Sequence, residues 1–202
     1  DVIKLNPRVT ARYSAHSFGQ NHTPKELGIG FAIASDPYKL EDLSPPTPLF
    51  KNKELTEKWH SDKIFPYFLK PDYGLYHFIC LEKTKHYYKI LINDDEIAYV
   101  PNDSNYRFET WKDLLLQSSV ERLTKDNPIR QNCSDKSSAV EYDIKPGRLT
   151  VHKVTQKQGV YWLKISLGED TSDTSDKSST VQYGWIKGKT KDKLLVNILL
   201  LC

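Results

Sequence analysis

The 202-residue chain is close to charge-balanced, with 29 Lys and Arg against 26 Asp and Glu and a formal net charge of +3. Charges of both signs are interspersed, which gives no sign of the basic face of a nucleic-acid binder, and no run approaches the ~18 apolar residues of a membrane-spanning helix. A chain of this length buries about 70% of its unfolded surface, enough for one or two cores without covalent staples.

Residues Asp1 to Leu27 are polar, carry Pro7 and Pro24, and keep neither strand nor helix periodicity for long, so they read as an arm or an ordered loop. The chain starts at Asp and contains no methionine, which fits a mature chain whose leader was removed, or a trimmed one. Gly28 to Ala34 reads as a strand whose glycines permit close backbone approach. Asp36 to Pro48, with four prolines, reads as a loop because proline removes donors and fixes φ. Strands are predicted at Thr47 to Lys51, Lys63 to Leu69, Leu75 to Lys83, His86 to Ile92 and Glu96 to Val100. Lys70-Pro71-Asp72-Tyr73-Gly74 is a turn between two of them.

Thr110-Trp111-Lys112-Asp113 has the pattern of a capping box, and it opens the one helix predicted, Trp111 to about Leu123. On a helical wheel Trp111, Leu114 and Leu115 lie on one side and Leu116, Val120 and Leu123 on the other, so this helix is expected to link two modules and be covered by both. Beyond it, strands are predicted at Pro128 to Gln131, Ala139 to Tyr142, Leu149 to Gln156, Val160 to Leu167, Thr180 to Lys187 and Lys193 to Leu201. Glu169 to Thr180 is rich in Ser, Thr and Asp, too polar to pack, and reads as a hairpin tip.

The two halves repeat a pattern. His86-Tyr87-Tyr88-Lys89-Ile90, a turn and Tyr99-Val100 match Tyr161-Trp162-Leu163-Lys164-Ile165, a loop and Trp185-Ile186. Upstream of each lies a second match, Thr47-Pro48-Leu49-Phe50-Lys51-Asn52 against Asn127-Pro128-Ile129-Arg130-Gln131-Asn132. Two features in the same order point to a duplicated small β module.

A Pro-led first strand, a long loop, then Trp162, Lys164 and Ile165 followed by Gly184-Trp185-Ile186, resemble the bacterial SH3-like (SH3b) family. The first copy carries Ala98-Tyr99-Val100 in place of Gly-Trp-Ile. Phe65 to Asn93 and Gly184 to Cys202 also resemble a group of exported Bacteroidetes proteins with paired SH3-like domains. The resemblance covers about residues 28 to 202 and implies a mainly β chain: an arm at 1–27, an SH3-like barrel at 28–108, a linking helix at 109–125 and a second barrel at 126–202. It also implies export, to the periplasm or beyond the cell.

Candidate sites follow from residue chemistry. Tyrosine and tryptophan exceed what two small cores use, and Tyr67, Tyr73, Tyr76, Tyr142 and Tyr161 are taken to fall in loops; amphipathic aromatics at a groove suit peptide or glycan binding. The binding set proposed from sequence is Tyr67, Tyr73, Tyr142, Tyr161 and Trp162, with a peptide, a peptidoglycan fragment or an envelope protein as partner. Which face of the Trp162 strand is wet stays open. Asn132-Cys133-Ser134 resembles the nucleophile of NlpC/P60 cysteine peptidases, with His152 the nearest histidine, but the residues that follow read as a loop rather than the helix start such enzymes use. Three cysteines, Cys80, Cys133 and Cys202, make no framework, although a Cys133–Cys202 bridge fits module ends that meet. Six histidines without metal-ligand spacing, and Asp170, Asp173 and Asp176 without a calcium-loop glycine, suggest neither metal nor cofactor. The expected function is non-catalytic binding, with a protein scaffold and a Cys133 hydrolase as the other readings.

Overall fold

A computed structural model describes residues 24–34, 48–59, 64, 66–70, 75–140, 148–167 and 182–200. The chain is mainly β and divides into two compact units, Asp1–Trp111 and Lys112–Cys202. Each is described in turn.

The first unit holds β1 (Gly30–Ala34), β2 (Phe68–Lys70), β3 (Leu75–Lys83), β4 (Tyr87–Leu91), β5 (Ile97–Pro101) and β6 (Tyr106–Thr110). Its sheet runs β5-β4-β3-β1-β6, with β2 paired to β3 off this path. Every neighbour is antiparallel. β4 and β5 alternate between buried and half-buried residues, as strands with one core face should. β1 is buried at all five positions, GFAIA. Its Ala32 and Ala34 belong to a core with Leu49, Phe78, Cys80, Ile90 and Val100. Phe31, on its other face, meets Phe68, His77 and Trp111. The centre of this sheet is therefore covered on both faces, and small residues in β1 let its neighbours close in. Gly30 shows how tightly: a Cβ there would lie 2.2 Å from the carbonyl oxygen of Glu109.

The second unit holds β7 (Ser119–Arg122), β8 (Leu149–Lys157), β9 (Val160–Leu167), β10 (Gln182–Lys189) and β11 (Val196–Leu199), in the order β10-β9-β8-β7-β11. β8 and β9 are joined by Gln158 and Gly159, both at positive φ (49° and 77°), the two-residue turn whose twist suits a hairpin. Leu163, Ile165, Ile186, Val120 and Ile198 form the core side. At the outer ends of the order, the Leu195 amide donates to Gly188 O at 2.9 Å, and the Asn127 side-chain amide donates to Lys187 O at 2.8 Å and Leu195 O at 3.0 Å. These bonds draw the end of β10 towards the start of β11. Neither sheet forms a closed ladder.

The two orders are the same once matched: the last strand pairs the first, the first pairs the opening strand of a three-strand meander, and the meander completes the sheet. The expected repeat extends to single bonds. Phe50 and Tyr99 exchange both backbone hydrogen bonds, at 2.9 and 2.8 Å, and so do Arg130 and Trp185, at 2.8 and 2.7 Å. Phe50 also bridges Lys58, as Arg130 bridges Ala139. Both meanders shift register in their first ladder, between Cys80 and Glu82 and between Val151 and Lys153, and the second shifts again between Lys187 and Lys189.

The helix differs from expectation. It begins at Trp111 as the sequence pattern predicted, but it is six residues long, α1 (Trp111–Leu116), and Ser119–Arg122 is a strand. Ser118 Oγ donates to Leu114 O at 2.6 Å and draws off a carbonyl at the helix end. Val120 is then buried by strand pairing to Leu149 and Ile198. The second apolar stripe of the helical wheel was thus a strand read at the wrong period, and Leu116 and Leu123 are exposed. The first strand of the second unit accordingly starts before Pro128, where it was expected. β6 was also missed, although Tyr106-Arg107-Phe108-Glu109-Thr110 alternates aromatic and charged residues as a strand does.

Candidate functional site

Antiparallel partners project to the same face of a sheet, so register decides which side chains meet. In the β8–β10 meander Lys153 pairs with Lys164 and Thr155 with Trp162. Across the next ladder Lys164 pairs with Trp185, Trp162 with Lys187 and Ser166 with Tyr183. Since Leu163 and Ile165 are fully buried on the core side, the face that carries Trp162 and Lys164 is the outer one.

This outer face is aromatic and cationic. Lys164 Nζ lies 4.7 Å from the centre of the Tyr183 ring, and the His152 ring meets the same tyrosine edge-on at 5.3 Å. Lys187 Nζ lies 5.4 Å from the Trp162 ring centre and is paired with Asp135, and Trp162 is only 3% exposed. Tyr183 is 45% exposed, enough to serve as a contact surface, and Lys153, opposite Lys164, is exposed on the same sheet. Arg130 holds Trp185 from the next segment through two backbone bonds.

The matching face of the first unit has Tyr87, Lys89 and Tyr99 in place of Trp162, Lys164 and Trp185. There Glu82 stands opposite Lys89, where Lys153 stands opposite Lys164. Tyr87 Oη donates to Glu82 Oε1 at 2.9 Å, and this raises the Tyr87 pKa. The first face is internally neutralised; the second leaves two lysines side by side.

Of the five binding residues expected from sequence, Tyr73 and Tyr142 lie outside the described residues. Tyr67 is buried next to Phe31, Phe68 and Trp111, and desolvation together with Asp94 raises its pKa. Tyr76 belongs to β3 and is fully buried, so it is core rather than loop. Tyr161 and Trp162 are adjacent in β9 and face opposite sides. Tyr161 receives Lys189, whose Nζ is 5.5 Å from the ring centre and donates to Thr190 O at 2.8 Å. Burial pulls the Lys189 pKa down to about 8 against the opposing effect of Asp192. The structure thus brings Trp162 together with residues the sequence reading did not name as a site, Lys153, Lys164, Tyr183 and Trp185, and with His152, named there only as a base for Cys133. A signal for them existed, since a two-residue turn at Gln158-Gly159 dictates the pairing of Lys153 with Lys164.

Comparison with known proteins adds no relative: no family model matches the chain, and no curated protein or solved structure matches it.

His77 is buried among Phe31 and Phe68, with Glu109 Oε2 3.9 Å from Nε2, beyond hydrogen-bond distance. Desolvation, then Arg107, lowers its pKa to about 3, so burial outweighs the nearby carboxylate and the ring is neutral at pH 7. Cys80 is a buried free thiol pushed up to about 12, chiefly by burial, which makes it inert. Cys133 is a half-buried free thiol in a run of turns and bends, and its suggested partner Cys202 lies outside the described residues. His152, its suggested base, packs on Tyr183 instead. Among the described residues no group of three His, Cys, Asp or Glu is placed to hold a metal, and no helix is long and apolar enough to cross a membrane.

Proposed function

We propose that the chain is a non-catalytic binding protein built from two SH3-like modules, recognising a cell-envelope ligand, a peptide or peptidoglycan stem, outside the cytoplasm. Support for the modules comes from the shared strand order and from the paired bridges Phe50–Tyr99 and Arg130–Trp185. The observation that carries the binding reading is the outer face of β8–β10, where Tyr183 is 45% exposed beside Lys164, which in turn faces Lys153. Trp162 is buried on this face, but Tyr183 and the lysines are not needed for a core, and an amphipathic ring with an adjacent charge suits a polar ligand chain.

A scaffold role towards an envelope protein is the second reading, and the observation favouring it is that Ile29, Leu116 and Leu123 are 44–50% exposed. Exposed apolar residues at separate points in the sequence are common in monomers, so this reading ranks below the first.

Co-sedimentation with insoluble peptidoglycan tests the proposal. The expected result is saturable retention that Tyr183→Ala, at an exposed position, weakens about tenfold, as loss of an aromatic anchor does. Retention no greater than that of a control protein would count against the envelope ligand and in favour of the scaffold.

A further inference from the structure

Duplication leaves the two outer faces alike in shape and unlike in charge, and that contrast identifies the chemistry of the ligand. In the first unit Lys89 has Glu82 opposite it across the β3–β4 ladder. In the second, the register position of Glu82 is taken by Lys153, directly opposite Lys164. Like charges at directly opposed positions destabilise a sheet, because their Cβ atoms are only about 5 Å apart. Among the described residues no carboxylate pairs with either lysine; Asp135, the acid placed on this face, is engaged by Lys187. Instead Lys164 leans over Tyr183, whose ring His152 also meets. The imbalance extends to the whole unit: from Lys112 onward there are fifteen Lys and Arg against eleven Asp and Glu, whereas acids outnumber bases by one before it.

We infer that the outer face of the second sheet binds an acidic peptide segment, whose carboxylate sits between Lys153 and Lys164 and whose neighbouring residue packs on Tyr183. This rests on the binding reading above and names its ligand chemistry; the first unit, neutralised by Glu82, does not share the site. A bound carboxylate removes the repulsion between the two lysines, so the strain present in the free sheet favours occupancy. Two lysines with no carboxylate partner among the described residues match one or two carboxylates. They fall short of the row of phosphate contacts on which nucleic-acid affinity depends, and one exposed tyrosine is a poor anchor for a lipid surface.

The test titrates the whole chain with a short oligoglutamate, and in parallel with oligoglutamine, an oligothymidylate and vesicles containing anionic lipid. Expected are saturable oligoglutamate binding that weakens as salt is raised, none for oligoglutamine, and weaker or no binding of the oligonucleotide and vesicles. Lys153→Glu, which reproduces the Glu82–Lys89 arrangement and so keeps the fold, is expected to weaken binding about tenfold or more, while Lys89→Gln leaves it unchanged. The inference is overturned if oligoglutamate does not saturate, if Lys153→Glu binds as well as the parent, or if the oligonucleotide or vesicles bind more tightly. Retention on peptidoglycan without oligoglutamate binding would overturn this inference alone and leave the binding reading standing; loss of both would remove both.

Discussion

The two sheets have one strand order, and their core positions are filled alike. Ile90 and Ile165 are fully buried at corresponding places, as are Val100 and Ile186, and Leu49 matches Ile129 at 2% exposure. Away from the core they diverge. Glu82 becomes Lys153, Tyr99 becomes Trp185, and β1 with its five buried residues corresponds to β7 with one. Close packing admits few substitutions on the core side, whereas a solvated face can change its charge without disturbing the fold, and this is where one copy of a module can acquire a ligand that its sibling does not bind.

That comparison can be broken first at the cores. Ile90→Ala and Ile165→Ala each remove a fully buried side chain, and each should cost about 3 kcal/mol. Hydrogen exchange of the strand amides should locate the loss in β3–β5 for the first variant and in β8–β10 for the second. If either variant loosened both sheets equally, the units would not be separate cores.

Acid should separate the units next. His77 has a folded pKa of about 3, well below its unfolded value, so the unfolded chain takes up the proton first. The stabilisation is complete above about pH 6.5 and is lost as pH falls through the folded value. Between pH 6.5 and 5, before most carboxylates titrate, protection of β1 and β3 should fall by up to about 1.4 kcal/mol per pH unit. The second unit has no buried histidine among its described residues, so the loss assigned to His77 should be confined to the first. His77→Leu should flatten the first profile; a profile unchanged by that substitution would show that another group titrates.

The smallest effect expected is the one most specific to the comparison. Lys153→Glu should stabilise the second sheet by roughly 0.5 kcal/mol and Glu82→Lys should destabilise the first by a similar amount, since each exchanges like and opposite charges across a ladder. Both shifts should shrink at high salt. Equal signs for the two substitutions would mean that the faces are not equivalent in register.

Much of this was legible in the sequence. β3 and β9 were read residue for residue, because their flanking turns and β-branched or aromatic runs agree with a pleated, half-buried surface. The repeat was legible too, and residues matched by eye, Phe50 with Arg130 and Tyr99 with Trp185, make the same bridges. The site was less legible. Tyr67, Tyr76 and Trp162 looked like exposed aromatics, yet all three are buried, since one sequence does not say what packs over a strand's second face. Lys153 and Tyr183 went unnamed because a lone lysine and a lone tyrosine carry no signal until register sets them on one face.

The sequence by itself determined the class, the duplicated module and most strand positions, all of which follow from local periodicity, turn chemistry and repetition. Only the tertiary structure decided that Ser119–Arg122 is a strand, for it becomes one by pairing with β8 and β11, partners far along the chain. It also decided that Lys164 faces a lysine where Lys89 faces a glutamate. Both are matters of which distant backbone groups hydrogen-bond to which, and local preference, worth a few tenths of a kcal/mol per residue, yields to them.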